Sequence, residues 1–577
     1  MPANQGHDPA TTVPTPAPSP GATTTTLRAM ARDAVEAAWH RATASGALPP
    51  LPEGTALDVA IERPANVEHG DLATSLALRL ARPLRRPPAA IAGALADAIT
   101  VGSGEPIVEA AVAGPGFVNL RLADAAIEAF LDTARAEPAA WGRVDGPRSG
   151  RRVNVEFVSA NPTGPLTVGN ARGAFVGDLL CRVLEAGGQQ VTREYYFNDS
   201  GAQVRNLGAS VLAVRAGDPV PEDGYHGDYV ADLASELPAG IAAGAEGSPE
   251  AATWETGRWA SERIRAGIEA TLDSLGVHFD VWKTEGSLHA EGWVDRAVER
   301  LRAGGHLYEQ DGALWFRSTA FGDDKDRVVI RSNGEPTYFA SDIGYVTEKL
   351  SRGFDHLIYI WGADHHGTVA RVQNAAQAMG YDRAAVEILL TGWVSFVRGG
   401  VEVSMSKRAG TFVSLDELLA EIGPDAARWF FASRGANVNI DFDIELAKKQ
   451  SNENPVYYVQ YAHARIASIL RKAAEAGLAA APSLRGSLAG PEEATLARIV
   501  TRFPEVVEDA AEAQETQGVT TYATELATAF HAFYRDAKVV DAANAGRSAA
   551  RLALVDVTRI TLANALGLLG ISAPEAM

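Results

Sequence analysis

The sequence contains a single cysteine, Cys181, among its 577 residues. One cysteine excludes an internal disulfide and a cysteine-based zinc cluster, which is typical of a reducing compartment. Long apolar runs are missing too, since no stretch approaches the roughly 18 apolar residues that a membrane helix needs. The N-terminus lacks the charged and apolar segments of a secretory signal. We therefore expect a cytoplasmic protein with no membrane partner, in which Cys181 is buried.

Positive charge is scarce as well. The chain has 52 lysine and arginine residues against 72 aspartates and glutamates, a formal net charge of -20. Proteins that coat nucleic acid non-specifically need clustered cations, so this balance excludes that class. A local basic surface for one RNA is still compatible with it, and an acidic protein favours a cationic small substrate. The composition, 46% hydrophobic and 21% charged, indicates a soluble globular protein with three or four folded units.

The apolar patterns divide the chain into four parts. Residues 1–26 are largely proline, threonine, alanine and glycine and are predicted to be a disordered tail, because such residues cannot offset the entropy of ordering. Residues 27–138 indicate a small α+β domain, and residues 417–577 an almost wholly helical bundle. In residues 27–138 we expect helices at 27–45, 73–82 and 89–99 and strands at 57–62, 107–112 and 117–122.

The remaining part, residues 150–416, has the strand, loop, helix, strand order of a Rossmann-like α/β domain. An inserted segment at about 211–276 interrupts it. Its predicted strands are 152–157, 190–197, 356–361 and 386–397, and its predicted helices include 173–186 and 368–379. The predicted fold is thus multidomain, with an α/β catalytic domain between an α+β N-terminal domain and an all-α C-terminal bundle.

A first segment with chemical potential is 156–172, EFVSANPTGPLTVGNAR, between a predicted strand and helix. The amino end of a helix offers free N–H groups and a positive dipole end, and Gly169 lets a ligand approach the backbone. A nucleotide phosphate would fit there. Taken alone, the segment is equally compatible with a plain connection between a strand and a helix.

A second segment is 403–411, VSMSKRAGT, a basic loop after the last predicted strand. Two adjacent cations, Lys407 and Arg408, can stabilise the charge that develops when pyrophosphate leaves ATP. Alone, such a segment is more often only a basic surface loop.

In this order, the two segments resemble the HIGH and KMSKS signatures of class I aminoacyl-tRNA synthetases. Further segments are similar to bacterial arginyl-tRNA synthetases: EHGDLAT at 68–74, GPGFVN at 114–119, REYYFNDSG at 193–201, WGADHHG at 361–367 and NPVYYVQYAHAR at 454–465. The resemblance covers nearly the whole chain. It implies ATP-dependent ligation of L-arginine to tRNA(Arg) through an arginyl-adenylate, with ATP and Mg²⁺ as cofactors, in protein synthesis.

The chain departs from these signatures at three positions. Thr167 and Asn170 stand where the family's HIGH signature has histidines, and Ser404 stands where KMSKS begins with lysine, whereas Lys407 is kept. Threonine and asparagine can donate a hydrogen bond to a phosphate but carry no charge. We expect a working enzyme in which Lys407, Arg408 and Mg²⁺ supply the positive charge.

The resemblance also implies the arginine site. A guanidinium is planar and permanently charged, so a selective pocket needs carboxylates that accept its N–H groups. Asp342 would accept from the guanidinium, with Tyr338 four residues earlier on the same face of a predicted helix. The other implied arginine-binding residues, which hold the α-amino group and the substrate backbone, are Glu156, Ser159, Asn161 and Asp364.

The remaining implied residues concern ATP and tRNA. The catalytic residues would be Thr167, Asn170, Lys407 and Arg408. ATP would contact Pro165, Gly169, Gly362, Asp364, His365, Met405, Ser406 and Lys407. The tRNA anticodon, whose unpaired bases expose edges and faces, would contact Tyr457, Tyr461 and Arg465, although a structural role for these aromatics is equally compatible. Adjacent histidines at 365 and 366 diverge in a turn and lack a spaced third ligand, so we expect no protein metal site.

Three other functions fit parts of the sequence. A non-catalytic regulator that binds tRNA or arginine would explain the altered signatures, but not the retained Lys407, Glu156, Asn161 and Asp342. Another nucleotidyltransferase of the superfamily would not need the helical C-terminal part or the extra N-terminal domain. A synthetase for another amino acid is separated from the expected one by a charging assay. We expect the protein to be a monomer.

Overall fold

A computed structural model describes residues 23–102, 104–199, 201–243, 248–402 and 414–577. Its N-terminal part contains a four-stranded antiparallel sheet of order β1-β2-β4-β3, against which helices pack. The elements of this part are α1 (Leu27–Ala44), β1 (Ile61–Glu62), β2 (Leu72–Thr74), α2 (Leu76–Leu84), α3 (Pro88–Ala98), β3 (Ile107–Ala113), β4 (Phe117–Leu122) and α4 (Asp124–Ala136).

Three expectations for this part are wrong at their edges. Residues 1–22 lie outside the described residues, but Thr26, assigned to the tail, is buried and caps α1 by accepting a hydrogen bond from the Ala29 N–H. The helix expected from residue 73 begins at Leu76, because residues 72–74 form backbone bonds to β4. The strand expected at 57–62 is reduced to the two residues of β1.

The middle part alternates strands and helices along the chain. Its elements are β5 (Arg152–Glu156), α5 (Val168–Ala186), β6 (Gln190–Phe197), α6 (Gly201–Ala216), α7 (Asp228–Glu236), α8 (Ala239–Ala243), α9 (Pro249–Ser274), β7 (Val281–Thr284), α10 (Glu285–Ala290), α11 (Trp293–Ala303), β8 (Leu307–Gln310), β9 (Ala313–Phe316), β10 (Arg327–Ile330), α12 (Tyr338–Ser351), β11 (His356–Gly362), α13 (His366–Ala378), β12 (Val386–Thr391), β13 (Val394–Arg398) and β14 (Val401–Glu402).

Five of these strands form one parallel sheet of order β12-β11-β5-β6-β7. Val153, Val155 and Ile358 are fully buried in it, as expected when helices cover both faces of a parallel sheet. Chain order runs outward from β5 in both directions, so a crevice opens at the carboxyl ends of β5 and β11. The inserted segment consists of the helices α6 to α9, between β6 and β7.

The single strand predicted at 386–397 is wrong. The chain breaks into β12 and β13 at Gly392, whose missing side chain is required because a Cβ there would lie 2.8 Å from the backbone of Val438. β13 leaves the parallel sheet and pairs with β14 and with a later strand, β15. The wholly helical interpretation of residues 417–577 is therefore wrong at β15.

Apart from that strand, the C-terminal part is helical, as predicted. Its elements are α14 (Leu415–Ile422), α15 (Pro424–Ala432), β15 (Ile440–Asp443), α16 (Ile444–Lys448), α17 (Pro455–Glu475), α18 (Pro491–Val500), α19 (Phe503–Ala513), α20 (Gln517–Asp536) and α21 (Ala545–Leu568). The predicted combination of an α+β part, a Rossmann-like parallel sheet and a helical bundle is confirmed. None of the described helices is long and apolar enough to cross a membrane. Cys181 is buried within α5, as expected.

Candidate active site

Two connections meet at the crevice of the parallel sheet. One leaves β5 at Glu156 and enters α5, and the other leaves β11 at Gly362 and enters α13. Because β5 and β11 are paired and parallel, both connections lie at the same edge of the sheet. Such an edge is where open α/β sheets bind their ligands.

The turn after β5 is strained. Val158 and Ser159 have φ angles of 66° and 40°, a left-handed conformation that is unusual for any residue with a side chain and most costly for a β-branched one. The Tyr195 hydroxyl holds this turn by accepting from the Ala160 N–H at 3.0 Å and donating to the Ala160 carbonyl at 2.9 Å. The turn directs the Ser159 hydroxyl to Glu156, to which it donates at 3.1 Å.

Glu156 forms a buried ion pair. Its Oε2 accepts from Lys349 Nζ at 2.6 Å, and the two side chains are 5% and 0% exposed. Burial raises the pKa of Glu156, while the charge and hydrogen bond of Lys349 lower it. Lys349 belongs to α12, the helix that also carries Asp342. The sequence predicted Glu156 as a site residue but gave no signal for Lys349, because the two are brought together only by packing of α12 against β5.

Asp342 is surrounded by other acids. Burial and the negative charges of Glu156 and Glu285 raise the pKa of Asp342 to about 7. Glu285, the first residue of α10, is itself 8% exposed, and burial raises its pKa. Tyr196 on β6 has an elevated pKa because of its burial and the charges of Glu285, Asp342 and Glu156. Three carboxylates thus gather at one end of the sheet, an arrangement that favours a cationic ligand.

Glu285 was missed by the sequence analysis. The residue directly follows β7, an edge strand of the parallel sheet. Since ligands bind at the carboxyl ends of such strands, Glu285 would have been a candidate had β7 been recognised. β7 is only four residues long and lies behind the helical insertion, which hid its pattern.

Two other residues that were predicted to bind arginine, Tyr338 and Asn161, have different surroundings. Tyr338 is the first residue of α12, one turn before Asp342, and is 72% exposed. Asn161 is exposed; its Nδ2 donates to Gln203 Oε1 at 2.8 Å, and its Oδ1 accepts from the Asn198 N–H at 3.4 Å. Tyr338 therefore stands at the outer rim, and Asn161 connects the loop after β5 with that after β6.

Thr167 and Asn170 cap the amino end of α5. Asn170 Oδ1 accepts from the Thr167 N–H at 3.1 Å and from the Thr167 hydroxyl at 3.0 Å. The Asn170 amide nitrogen has no hydrogen-bond partner within the described part of the chain. Gly169 is exposed between them, and a Cβ there would make only an ordinary contact, with the Thr167 hydroxyl at 3.5 Å. Helix α5 thus offers a donor and backbone N–H groups to the crevice.

The chain that follows the second predicted segment lies at the same place. Residues 403–413, with Met405, Ser406, Lys407 and Arg408, are outside the described residues. Ser414, which follows them, forms an antiparallel bridge with Thr167, and the Leu415 N–H donates to the Leu166 carbonyl at 3.1 Å. The chain after 413 therefore resumes beside the amino end of α5.

The connection after β11 completes the crevice. Residues 363–365 form one short turn after Gly362, and α13 begins at His366. The His365 ring lies 5.7 Å from the Trp361 ring, whereas the Asp364 side chain is outside the described set. Pro165, on the opposite connection, is partly buried.

Tyr457, Tyr461 and Arg465 form an aromatic and basic row on one face of α17. The two tyrosine rings lie 6.4 Å apart and nearly parallel, and the Arg465 guanidinium lies 5.2 Å from the ring of Tyr461. Arg465 also lies 5.2 Å from Tyr534 on α20, a neighbour that sequence reasoning did not find. This row belongs to the helical bundle and not to the crevice.

Comparison with known proteins gives consistent matches along the chain. Residues 29–122 match the arginyl tRNA synthetase N terminal domain, residues 255–440 the class I (R) tRNA synthetase catalytic domain, and residues 459–577 the DALR anticodon binding domain. The chain is 47% identical to an arginine–tRNA ligase of Desulforudis audaxviator over 91% of its length and 95% of the relative's, and 44% identical to one of Frankia alni over 94% and 99%. A solved arginyl-tRNA synthetase of Thermus thermophilus superposes with a TM-score of 0.74 at 26% identity, over 96% of this chain and all of that one.

Proposed function

The chain belongs to the arginyl-tRNA synthetases, and on that premise we propose how its described residues carry out the family's reaction. It is a class I arginine–tRNA ligase that uses ATP to join L-arginine to tRNA for protein synthesis. The observation that carries the residue assignments is that the charges of Glu156, which ends β5, and Glu285, which follows β7, both act on Asp342. Carboxylates grouped at this end of the sheet suit a cationic amino acid, and the connection from β5 leads to the amino end of α5, which suits a triphosphate.

For arginine, we assign Asp342 and Glu285 to the guanidinium. Glu285 is 8% exposed and Asp342 is partly buried, and the charge of Glu285 raises the pKa of Asp342, so a guanidinium between the two carboxylates would relieve their repulsion. Tyr338 would close the outer side of this pocket. Glu156, Ser159, Asn161 and Asp364 would hold the α-amino group and the substrate backbone, because three of them lie on or beside the strained turn after β5.

For ATP, we assign the triphosphate to the amino end of α5. Thr167 and Asn170 would act there as neutral catalytic residues, Asn170 as a donor through its amide and Thr167 by orienting that amide, and Lys407 and Arg408 would supply positive charge. The adenosine and phosphate contacts would come from Pro165, Gly169, Gly362, Asp364, His365, Met405, Ser406 and Lys407. Mg²⁺ enters as the ion bound to the triphosphate. The bridge between Thr167 and Ser414 supports this assignment, because Ser414, which directly follows 403–413, lies at the amino end of α5.

In the first step the arginine carboxylate attacks the α-phosphorus of ATP in line, the bond to the β-phosphate oxygen breaks, and pyrophosphate leaves with that electron pair. The enzyme positions the reactants and neutralises charge, so no protein nucleophile is needed. In the second step a hydroxyl of the 3′-terminal ribose of tRNA attacks the arginyl carbonyl, and AMP leaves.

For tRNA, we propose that Tyr457, Tyr461 and Arg465 contact the anticodon loop of tRNA(Arg), since a parallel pair of rings beside a guanidinium suits unpaired bases. Residues 27–138 would touch the outer corner of the tRNA. We propose a division into 27–138, 150 to about 450 and 455–577, because β15 pairs with β13 and so extends the catalytic part beyond the expected limit at 416. We further propose a cytoplasmic monomer.

An aminoacylation assay tests the function. Arginine should be joined to tRNA(Arg) and the other amino acids should not, and Asp342→Asn should raise the KM for arginine far more than that for ATP. Charging of another amino acid, or an arginine KM that is insensitive to Asp342→Asn, would contradict the assignment. Pyrophosphate exchange should require tRNA, as the family resemblance implies; exchange without tRNA would contradict that part alone.

A further inference from the structure

Lys349 is a fully buried lysine in the middle of the acidic region. Its Nζ donates to Glu156 Oε2 at 2.6 Å and lies 4.1 Å and 4.0 Å from the ring centres of Tyr345 and Tyr359. Removing an ammonium from water is costly unless its partners return that free energy. A buried cation that faces one carboxylate and two aromatic rings is therefore well compensated, and its position under the substrate pocket calls for an explanation.

The two glutamates nearest to Lys349 differ in how much they depend on it. Glu194 on β6 accepts from Asn154 Nδ2 and Arg352 Nη2, each at 2.7 Å, and from the Tyr345 hydroxyl. Among the residues that the structure describes, the Glu156 carboxylate accepts only from Lys349 and, at 3.1 Å, from Ser159. Loss of Lys349 would leave Glu194 with strong donors but would leave Glu156 with a single neutral one.

The charges around this pair come from every neighbouring element. The charged groups are Asp342, Glu348 and Arg352 on α12, Glu194 on β6 and Glu285 on α10. Two neutral but ionisable groups, Tyr196 on β6 and Tyr359 on β11, also lie here. Burial and Glu194 raise the pKa of Glu156, and Lys349 is the cation that lowers it. Without Lys349, this opposing effect would be lost and the pKa of Glu156 would rise further.

We propose that Lys349 is a positioning residue for arginine: it keeps the Glu156 carboxylate ionised and fixed at the floor of the pocket, and thereby sets the pH range in which the enzyme binds arginine. This inference rests on the proposed assignment of Glu156 and Asp342 to arginine. Lys349 touches no substrate in this arrangement, because it is enclosed by Glu156 and the two rings, and it acts through Glu156.

The test is steady-state aminoacylation by the full-length enzyme between pH 6 and 9. Lys349→Met, which keeps the length of the side chain without its charge, should raise the KM for arginine about 10-fold and move the acidic limb of kcat/KM for arginine to higher pH by about one unit. The kcat at saturating arginine should change less than about threefold. Lys283→Met is the matched control, since Lys283 pairs with Glu291 and Glu348 but not with Glu156, and it should leave both quantities unchanged.

A double variant separates this role from a purely structural one. Glu156→Gln removes the carboxylate that Lys349 holds, so Lys349→Met added to Glu156→Gln should cause no further rise in the arginine KM. If Lys349→Met alone fails to fold, a folded double variant with the KM of Glu156→Gln supports the proposal, and an unfolded double variant overturns it. An unchanged KM and pH limb in a folded Lys349→Met also overturn it. If Glu156→Gln itself leaves the arginine KM unchanged, the proposed role of Glu156 fails first.

Discussion

Thr167, the residue before α5, forms an antiparallel bridge with Ser414, the first described residue after 403–413. Two segments that are far apart in sequence therefore meet at the amino end of one helix. Cations close to a helix amino end would suit a triphosphate bound there. The bridge thus places the chain that follows 403–413 beside the first signature-like segment.

Asn170→Asp should separate capping from catalysis. The aspartate keeps the oxygen that accepts from Thr167 but loses the amide donor and places a negative charge next to the triphosphate. We expect kcat for aminoacylation to fall by about 10- to 1,000-fold, the range seen when one transition-state donor is removed. The melting temperature should stay the same or rise, because an acid at a helix amino end is favourable. A kcat close to that of the wild type would show that Asn170 only caps the helix.

Asp342 should add a pH dependence of its own to arginine binding. Its pKa of about 7 lies above its ordinary value of 3.8, so the free enzyme holds the proton below pH 7. This group contributes stability at low pH that is lost as the pH rises through 7, and bound arginine supplies the missing positive charge above that pH. Arginine should therefore raise the melting temperature more at pH 8 than at pH 6. In Asp342→Asn the two shifts should be equal and small; a larger shift at pH 6 in the wild type would refute this account.

The sequence predicted the main architecture because its signals were local. Strand β6 was predicted with both ends correct, because its β-branched and aromatic residues are bounded by the glycines before it and the asparagine after it. The error at 386–397 has the opposite origin. One continuous apolar pattern is split at Gly392, where the chain passes the backbone of Val438, and a contact so distant in sequence leaves no periodic trace.

The residues of the candidate site also fall into two groups, those that a local sequence pattern predicts and those that it does not. Glu156, Asn161, Thr167 and Asn170 were predicted because they lie in one segment that resembles a family signature. Lys349 was not, because its contact with Glu156 depends on how α12 packs, and Glu285 was not, because the short strand β7 before it was not recognised. Pairing between distant residues is a tertiary property, and a single sequence contains no direct record of it.

Glu285→Gln tests the residue that the sequence analysis missed. The amide keeps the shape of the side chain but cannot pair with a guanidinium by charge, so the KM for arginine should rise by about 10- to 100-fold, equivalent to roughly 1.5–3 kcal/mol. The KM for ATP should not change. Glu291→Gln is the matched control, because Glu291 pairs with Lys283 and Trp293 at the end of α10, away from Asp342. Equal effects of the two substitutions would exclude Glu285 from the pocket.

Tyr461→Ala tests the proposed anticodon contact on α17. Stacking of one base on an aromatic ring contributes about 1–3 kcal/mol, so the KM for tRNA should rise by roughly 5- to 100-fold. The KM for arginine should stay the same, because this row lies in the helical bundle. Tyr461→Phe keeps the ring and should retain most of the affinity. If the phenylalanine variant is as impaired as the alanine variant, the hydroxyl and not the ring makes the contact.

Asp178→Asn should reduce stability without changing the candidate site. Asp178 is buried in α5 and accepts from Arg428 Nη1 and Arg182 Nε, each at 2.7 Å. Arg428 is also buried and donates to the carbonyls of Leu275 and Leu569, so it joins α5 to the end of the inserted helices and to the C-terminal segment. An amide would leave the Arg428 charge without its counter-ion, which costs about 3–5 kcal/mol. The melting temperature should drop by several degrees while the remaining folded enzyme keeps the wild-type KM for arginine. A small change in melting temperature would mean that water or the carbonyl groups alone can stabilise Arg428.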